Sequence, residues 1–377
     1  MTTSTSHMTP QQANALAASE LLATGTQMFV PLSPVSYTGI SGQTGTIVLD
    51  RAGIFRRLRV QVQVVIANST AAAIALTPSP VAPYNVFNQL SYKDFSGSTR
   101  TNSHPAFIEL VNNMKRGRPS NKVAANLENT TISSLLYNVP TSIPATGSAT
   151  LTYEQEFPLE YGLGSLSGAV MAQTSNNQHS LNLQFAPALV GTDPWLYPYV
   201  GASVPSGITV SSVNVTVYQE YIQPASLANL PLLDLTTVYA IEGNATDSSN
   251  LVANTYKYID YPVSRTILST AVAYDNGASA MNGGTDVSEF GIVNGGTLYP
   301  AQLNTMFFLQ RMRDALGADS PAGLYYLGSR QKPVDTTMYA NVQFRMKPSS
   351  VNAGSYIAYA FEMFYPYGAA LPGIVTG

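Results

Sequence analysis

The run Val217-Tyr-Gln-Glu-Tyr-Ile-Gln-Pro-Ala-Ser-Leu-Ala-Asn-Leu-Pro-Leu-Leu-Asp-Leu-Thr-Thr-Val-Tyr-Ala-Ile-Glu242 divides the sequence. Its opening residues end a segment that alternates apolar and polar side chains, the mark of a half-buried strand. Pro224 and Pro231 then interrupt regular structure, and a second apolar run follows, so the stretch reads as the link between two β-rich halves. We place the linker at residues 224–232, the two β domains at 29–223 and 233–377, and a terminal arm at 1–28.

Upstream, Arg57-Leu-Arg-Val-Gln-Val-Gln-Val-Val-Ile66 alternates throughout. Leu58, Val60, Val62 and Val64 point to one side while Arg57, Arg59, Gln61 and Gln63 point to the other. Further strands are expected at 85–92, 133–137, 149–157, 181–185 and 208–218. From Phe29 to Val48 the chain is Pro, Ser, Thr and Gly around short apolar pieces, with no strand pattern. A short helix is expected from Pro105 to Met114, with proline at its first position and Gly117 just past its end. Thr9-Pro10-Gln11-Gln12 combines an N-cap, a first-position proline and a third-position Gln, so a terminal helix should run to about Ala23 and stop at Gly25. Ala13, Leu16, Ala17 and Leu21 share one face of it with Glu20, a thin apolar stripe suited to an arm that docks on something.

Downstream, strands are expected at 235–241, 265–274, 323–327, 338–347 and 355–365, with a helix from Pro300 to Leu316 closed by Gly317. Each half thus carries one proline-started helix within a set of strands. Two copies of one architecture in an all-β chain is the economical reading, and strands at this spacing with one helix per half fit a jelly roll better than a propeller.

Composition agrees with this reading. A chain of 377 residues has length for two cores. Only 10% of residues are charged, against about 25% in an average soluble protein, which suits a surface largely covered by neighbours. There is no Cys, which removes disulfides, thiol catalysis and thiolate metal sites. No apolar run approaches the roughly 18 residues of a membrane span, and no export signal stands at the start, so residence in the producing cell's cytoplasm is expected. Without such a signal, the glycosylation-type triplets at Asn68, Asn129, Asn214 and Asn244 carry no meaning.

Charge is segregated along the chain. Residues 1–122 hold ten Lys or Arg and four Asp or Glu, residues 123–256 none and nine, and residues 257–377 eight and eight. Attraction between basic and acidic patches of neighbouring copies could orient assembly, and two solvated surfaces explain the same pattern. The basic residues fall in two clusters, Arg51/Arg56/Arg57/Arg59 and Lys115/Arg116/Arg118/Lys122. Contact with a partner subunit or anionic lipid is expected of them before nucleic-acid readout, because the pI is about 5.6.

No constellation for catalysis stands out. His7, His104 and His179 are scattered, and we read them as surface or helix-capping residues. Asp275, Asp286 and Glu289 lie in the Gly-rich stretch 273–296, where turn chemistry competes with a cation or glycosidase site. Gly283-Gly284 and Gly295-Gly296 lack the strand-to-helix context of a phosphate loop.

The residues beyond the link are recognisable. Val217-Tyr-Gln-Glu-Tyr-Ile, Leu230-Pro-Leu-Leu-Asp-Leu-Thr-Thr-Val-Tyr, Leu268-Ser-Thr-Ala-Val-Ala-Tyr-Asp-Asn-Gly, Gly284-Thr-Asp, Gly323-Leu-Tyr-Tyr, Arg330-Gln-Lys-Pro and Tyr339-Ala-Asn-Val resemble the major capsid protein family of tectiviruses, tailless bacteriophages with an internal lipid membrane. Weaker likeness extends to Leu181-Asn-Leu-Gln-Phe, the helix from Pro105 to Gly117 and the Gln- and Ala-rich arm after Pro10. The resemblance implies a double jelly roll of two tandem eight-stranded sandwiches, a homotrimer with a pseudo-hexagonal outline, and an icosahedral shell over a membrane, with penton or minor capsid proteins as further partners and no cofactor. It places the arm, with Pro10, Leu16 and Leu21, beneath the capsomer against neighbours or lipid. It leaves Arg56, Arg57, Arg59, Lys115, Arg116 and Arg118 as candidate intersubunit residues. A carbohydrate-binding or carbohydrate-cleaving phage receptor-binding protein is the competing expectation, supported by 23 Tyr, Trp195 and the carboxylates near Asp286. A nucleic-acid packaging protein fits the acidic middle poorly.

Overall fold

In the computed structural model the described residues are 10–117, 137–162, 165–172, 178–225, 237–243, 246–277, 281, 286–295, 297–298, 303–316, 323–328, 333–337, 339 and 341–366. The main elements are α1 (Pro10–Thr24), β1 (Thr26–Pro31), β2 (Val35–Tyr37), β3 (Thr44–Val48), β4 (Ile54–Asn68), β5 (Phe87–Lys93), β6 (Thr99–Ser103), α2 (Pro105–Arg116), β7 (Ser148–Pro158), β8 (Ser180–Phe185) and β9 (Ile208–Gln223). After the link come β10 (Thr237–Gly243), β11 (Lys257–Asp260), β12 (Thr266–Asp275), β13 (Val287–Asn294), β14 (Thr297–Leu298), α3 (Thr305–Leu316), β15 (Leu324–Gly328), β16 (Val342–Pro348) and β17 (Tyr356–Pro366).

Three sheets carry the fold. The first runs β1-β9-β4-β7, with β2 continuing the β1 edge along β9. The third runs β11-β16-β13-β14. Between them lies one ten-stranded sheet whose path is β15-β12-β17-β10-β6-β5-β8-β3. Its first four strands come from the second half of the chain and its last four from the first. Each outer sheet packs on its own end of this shared sheet. Tyr37 on β2 meets Phe185 on β8 with ring centroids 4.9 Å apart, and Phe290 on β13 meets Tyr325 on β15 at 4.8 Å. The result is two four-on-four sandwiches side by side, an arrangement that satisfies the inner faces of all three sheets at once.

The halves meet where β10 pairs with β6 in parallel, Glu242 opposite Asn102 and Gly243 opposite Ser103. All the strand pairs on either side of this bridge in the path are antiparallel. Gly243 has no room for a side chain, since a Cβ there would lie 2.1 Å from the Tyr359 carbonyl oxygen.

The alternation in β4 is realised, with Leu58, Val60, Val62, Val64 and Ile66 buried and the Arg and Gln positions partly exposed. The β2 to β3 region, which shows no strand pattern in the sequence, supplies the terminal strands of two sheets. Lys257–Asp260 and Val287–Asn294 are also strands that the sequence reading passed over. The second inserted helix starts at Thr305 rather than at a proline, because Leu303–Asn304 is a short strand paired with Glu289 and Phe290. Pro300, Gly317, Pro231 and the strand expected at 133–136 lie outside the described residues.

Candidate functional site

The chemistry-bearing residues gather around α2, the helix between the two sandwiches. His104 caps its N-terminus, its Nδ1 accepting from the Ala106 amide at 3.2 Å, and Gly117 ends it in the left-handed conformation at φ 69°. Along its length, Asn112 donates to the Glu156 carbonyl at 2.7 Å. On the buried side, Gln155 on β7 donates to the Pro105 carbonyl at 2.6 Å.

At the C-terminal end of α2 the two basic clusters converge on one cleft of about 530 Å³, lined by Arg56, Arg57, Lys115, Arg116, Glu156 and Tyr161 among others. We expected these cations to face a partner subunit or lipid. The structure gives Arg56, Arg57, Arg59, Arg116 and Lys115 each a carboxylate of their own chain. Arg56 pairs with Glu160 at 2.8 Å in a buried position. Arg57 lies between Glu156, 3.2 Å away, and Glu220. Arg59 meets Glu220 at 2.7 Å and Glu154 at 3.3 Å, and these carboxylates hold its guanidinium above the usual range despite partial burial, which acts the other way. Arg116 reaches Glu156. The reason is register: β4 is flanked by β7, where Glu156 sits opposite Arg59, and by β9, where Glu220 sits opposite Arg57. The basic first third and acidic middle third of the sequence therefore neutralise each other across adjacent strands. Arg118 and Lys122 lie outside the described residues.

Lys115 does something different. Its ammonium donates to the Tyr161 carbonyl at 2.8 Å and the Tyr239 hydroxyl at 2.7 Å, and pairs with Glu362 at 2.5 Å. It also lies 4.4 Å and 4.3 Å from the ring centroids of Tyr161 and Tyr239. Glu362 is 2% exposed and accepts from the Tyr239 hydroxyl at 2.9 Å and the Ser269 hydroxyl at 2.6 Å. Lys115 and Tyr161 belong to the first half of the chain, and Tyr239, Ser269 and Glu362 to the second. This pair pins the halves together behind the β6 to β10 bridge.

The remaining expected residues are structural in their contacts. His104 is fully buried and stacked on Trp195 with centroids 3.8 Å apart, so burial drives its pKa down to about 3. His179 is buried as well, contrary to the surface position expected, with Nδ1 2.9 Å from the Tyr92 hydroxyl and Nε2 2.8 Å from the Asp50 carbonyl; burial lowers its pKa. Asp286 accepts from Asn276 and Ser350, Asp275 accepts from the Gly277 amide at 2.7 Å, and Glu289 accepts from Tyr256 and Lys347. Their contacts are with turns and neighbouring strands. No group of three or more His, Asp or Glu among the described residues is placed to hold a metal ion, and no described helix is long and apolar enough to cross a membrane.

Helix α1 docks on its own chain. Ala18 and Leu21 pack with Ile54, Leu166, Ala169 and Ile222, and Leu21 is 3% exposed. Leu16, expected on the same face, is 51% exposed. Strand β1 follows at Thr26, inside the stretch read as terminal arm.

Residues 3–224 match the family model of the P3 major capsid protein N-terminal region, and residues 236–371 match that of its C-terminal region. The chain belongs to the P3 major capsid protein family. Its two models meet across the link that the sequence marks with Pro224 and Pro231. The chain is 28% identical to major capsid protein P3 of Enterobacteria phage PRD1, over 95% of each protein. The same fold is seen in a chain of the atomic structure of Sulfolobus Turreted Icosahedral Virus, with a TM-score of 0.68 at 15% identity, covering 91% of this chain and 92% of the other. It is seen again in the PBCV-1 capsid, with a TM-score of 0.60 at 9% identity over 90% and 94%. The double jelly roll expected from the sequence is thus the fold of this family member, and its role is that of a major capsid protein.

Proposed function

We propose that this major capsid protein assembles as a homotrimer of pseudo-hexagonal outline, and that such trimers tile an icosahedral shell over an internal membrane. The observation that carries this is the pair of four-on-four sandwiches joined edge to edge in one chain. Three such chains around an axis offer six similar modules to their neighbours, and many weak contacts closing a symmetric shell make the whole stable. In this reading 29–223 and 233–377 are the two modules, with 224–232 joining them. The protein collects in the host cytoplasm before assembly. The exposed side of α1, including Leu16, lies toward neighbours or lipid, and penton or minor capsid proteins complete the shell. No catalytic step is assigned to it. Residues 1–49 hold a single charge, Glu20, so any membrane contact through the arm would work without attraction of Lys or Arg to anionic headgroups.

The test is light scattering and negative-stain imaging of purified protein. Particles of three times the 40.2 kDa chain mass with a three-fold, hexagonal projection are expected. A monodisperse monomer at micromolar concentration would defeat the proposal.

A further inference from the structure

The lateral side of the first sandwich farthest from the second half is built by one continuous segment. β1 and β2 form the terminal strand of the first sheet, and β3 forms the last strand of the shared sheet. The two edges are neighbours in space. The Tyr37 ring on β2 lies over Gly45 on β3, where a Cβ would come 2.3 Å from the Tyr37 hydroxyl oxygen. Residues 26–49 contain no charged side chain at all.

Neither edge carries the charges isolated proteins use, such as Lys on the open side or an inward-pointing charge, and proline closes only the end of β1. Leu32 donates to the Val217 carbonyl at 2.8 Å, in the register that pairs Thr26 with Gln223. Ladder bonds in an antiparallel pair alternate, so the even-numbered residues face β9 while Gln27 and Phe29 turn their N–H and C=O groups outward. Pro31 has no N–H and ends the row of donors. No described strand pairs with that side. Large apolar side chains stand there too. Phe29 is 52% exposed on β1 and stacks on Tyr218 at 5.0 Å, while Val48 is 49% exposed on β3.

We propose that residues 26–49 form an interface with a second copy of this chain. The inference rests on the shell-subunit reading and specifies a surface for it. Charge selects the occupant: a segment without charges gives no attraction to nucleic acid or an anionic headgroup layer, and fits an uncharged protein surface. A chain with 10% charged residues presents such surface to its sisters.

The experiment uses the full chain, with Phe29→Arg and Val48→Arg as variants and Val263→Arg, at an exposed loop position of the second half, as control. Scattering mass is measured at one protein concentration, with circular dichroism to confirm folding. The expected result is a fall of mass to one chain for the two edge variants and no change for the control. A second measurement covers variants that fold poorly. In a chain without Cys, Phe29→Cys accepts a thiol-directed photo-crosslinker, and the expected products join two copies. Unchanged mass in folded edge variants would overturn the inference, as would cross-links confined to the same chain's residues 1–9. A wild-type protein that is itself monomeric would instead remove the shell-subunit reading beneath it.

Discussion

Replacing Lys115 with Met removes the cation that pins the two halves while keeping the length of its apolar stem. Glu362 is left with the Tyr239 and Ser269 hydroxyls and no countercharge, at 2% exposure. Breaking a buried pair by removing one partner costs about 3–5 kcal/mol, and the partial exposure of Lys115 places this case near about 3 kcal/mol. The unfolding entropy is about 2.1 cal/mol/K per residue. For a cooperative chain of 377 residues that is about 0.8 kcal/mol/K, so Tm falls by about 4 °C. If the halves unfold separately, the same loss falls on a unit of about 140 residues and shifts its transition by about 10 °C. Calorimetry therefore reads both the strength of the pin and the size of the unit it stabilises. In the Lys115→Met/Glu362→Gln double variant the buried charge is gone, and more than half of the lost stability should return, since coupled residues are not additive. A single variant within 1 °C of wild type, or strictly additive losses, would refute the argument.

Gly168→Ala should destabilise by at least about 2 kcal/mol, because φ is +85° there and the new Cβ would lie 2.3 Å from the Tyr239 Cβ; urea titration gives the value, and a loss below 0.5 kcal/mol would contradict the close approach. The pH dependence has two opposed parts. His104 is held down to about 3 by burial, so between that value and the unfolded value of about 6.5 the unfolded state binds the extra proton, and stability rises with pH by about 1.4 kcal/mol per unit. Burial of Glu242 beside the β6 to β10 bridge raises its carboxyl to about 7, with Arg265 opposing, so between about 4.5 and 7 the folded state binds the extra proton and stability falls as pH rises. Thermal melts between pH 4.5 and 6.5 should therefore be steeper in Glu242→Gln than in wild type, whereas His104→Asn, which keeps a capping side chain, should reduce or invert the slope. Identical slopes in all three proteins would remove both assignments.

What could be read from sequence follows from which faces are buried. β4 and β9 have one core face and one polar face, so their alternation is visible, and α2 carries its own start and stop residues. β1, β2 and β3 were invisible because they are short sheet edges: Val30, Val35, Tyr37 and Ile47 are the few side chains they set against the core, too few to show an alternation. β13 was hidden among the Gly and Asp residues of its flanking turns. The pairs that organise the site join residues far apart in the chain, Arg57 with Glu220 and Lys115 with Glu362. The two basic clusters were found, but their partners depend on strand register, which a single sequence does not display. His179 was misplaced for the same reason, since the Tyr92 and Asp50 groups that accommodate it come from other elements.

The shared ten-stranded sheet has a mechanical consequence. A rotation of one sandwich against the other would have to shear the bridge at Asn102 and Ser103 and draw Lys115 out from between two aromatic rings. Each subunit is therefore stiff across its width, and the bending that turns a flat lattice into a closed container must be absorbed where one molecule meets the next.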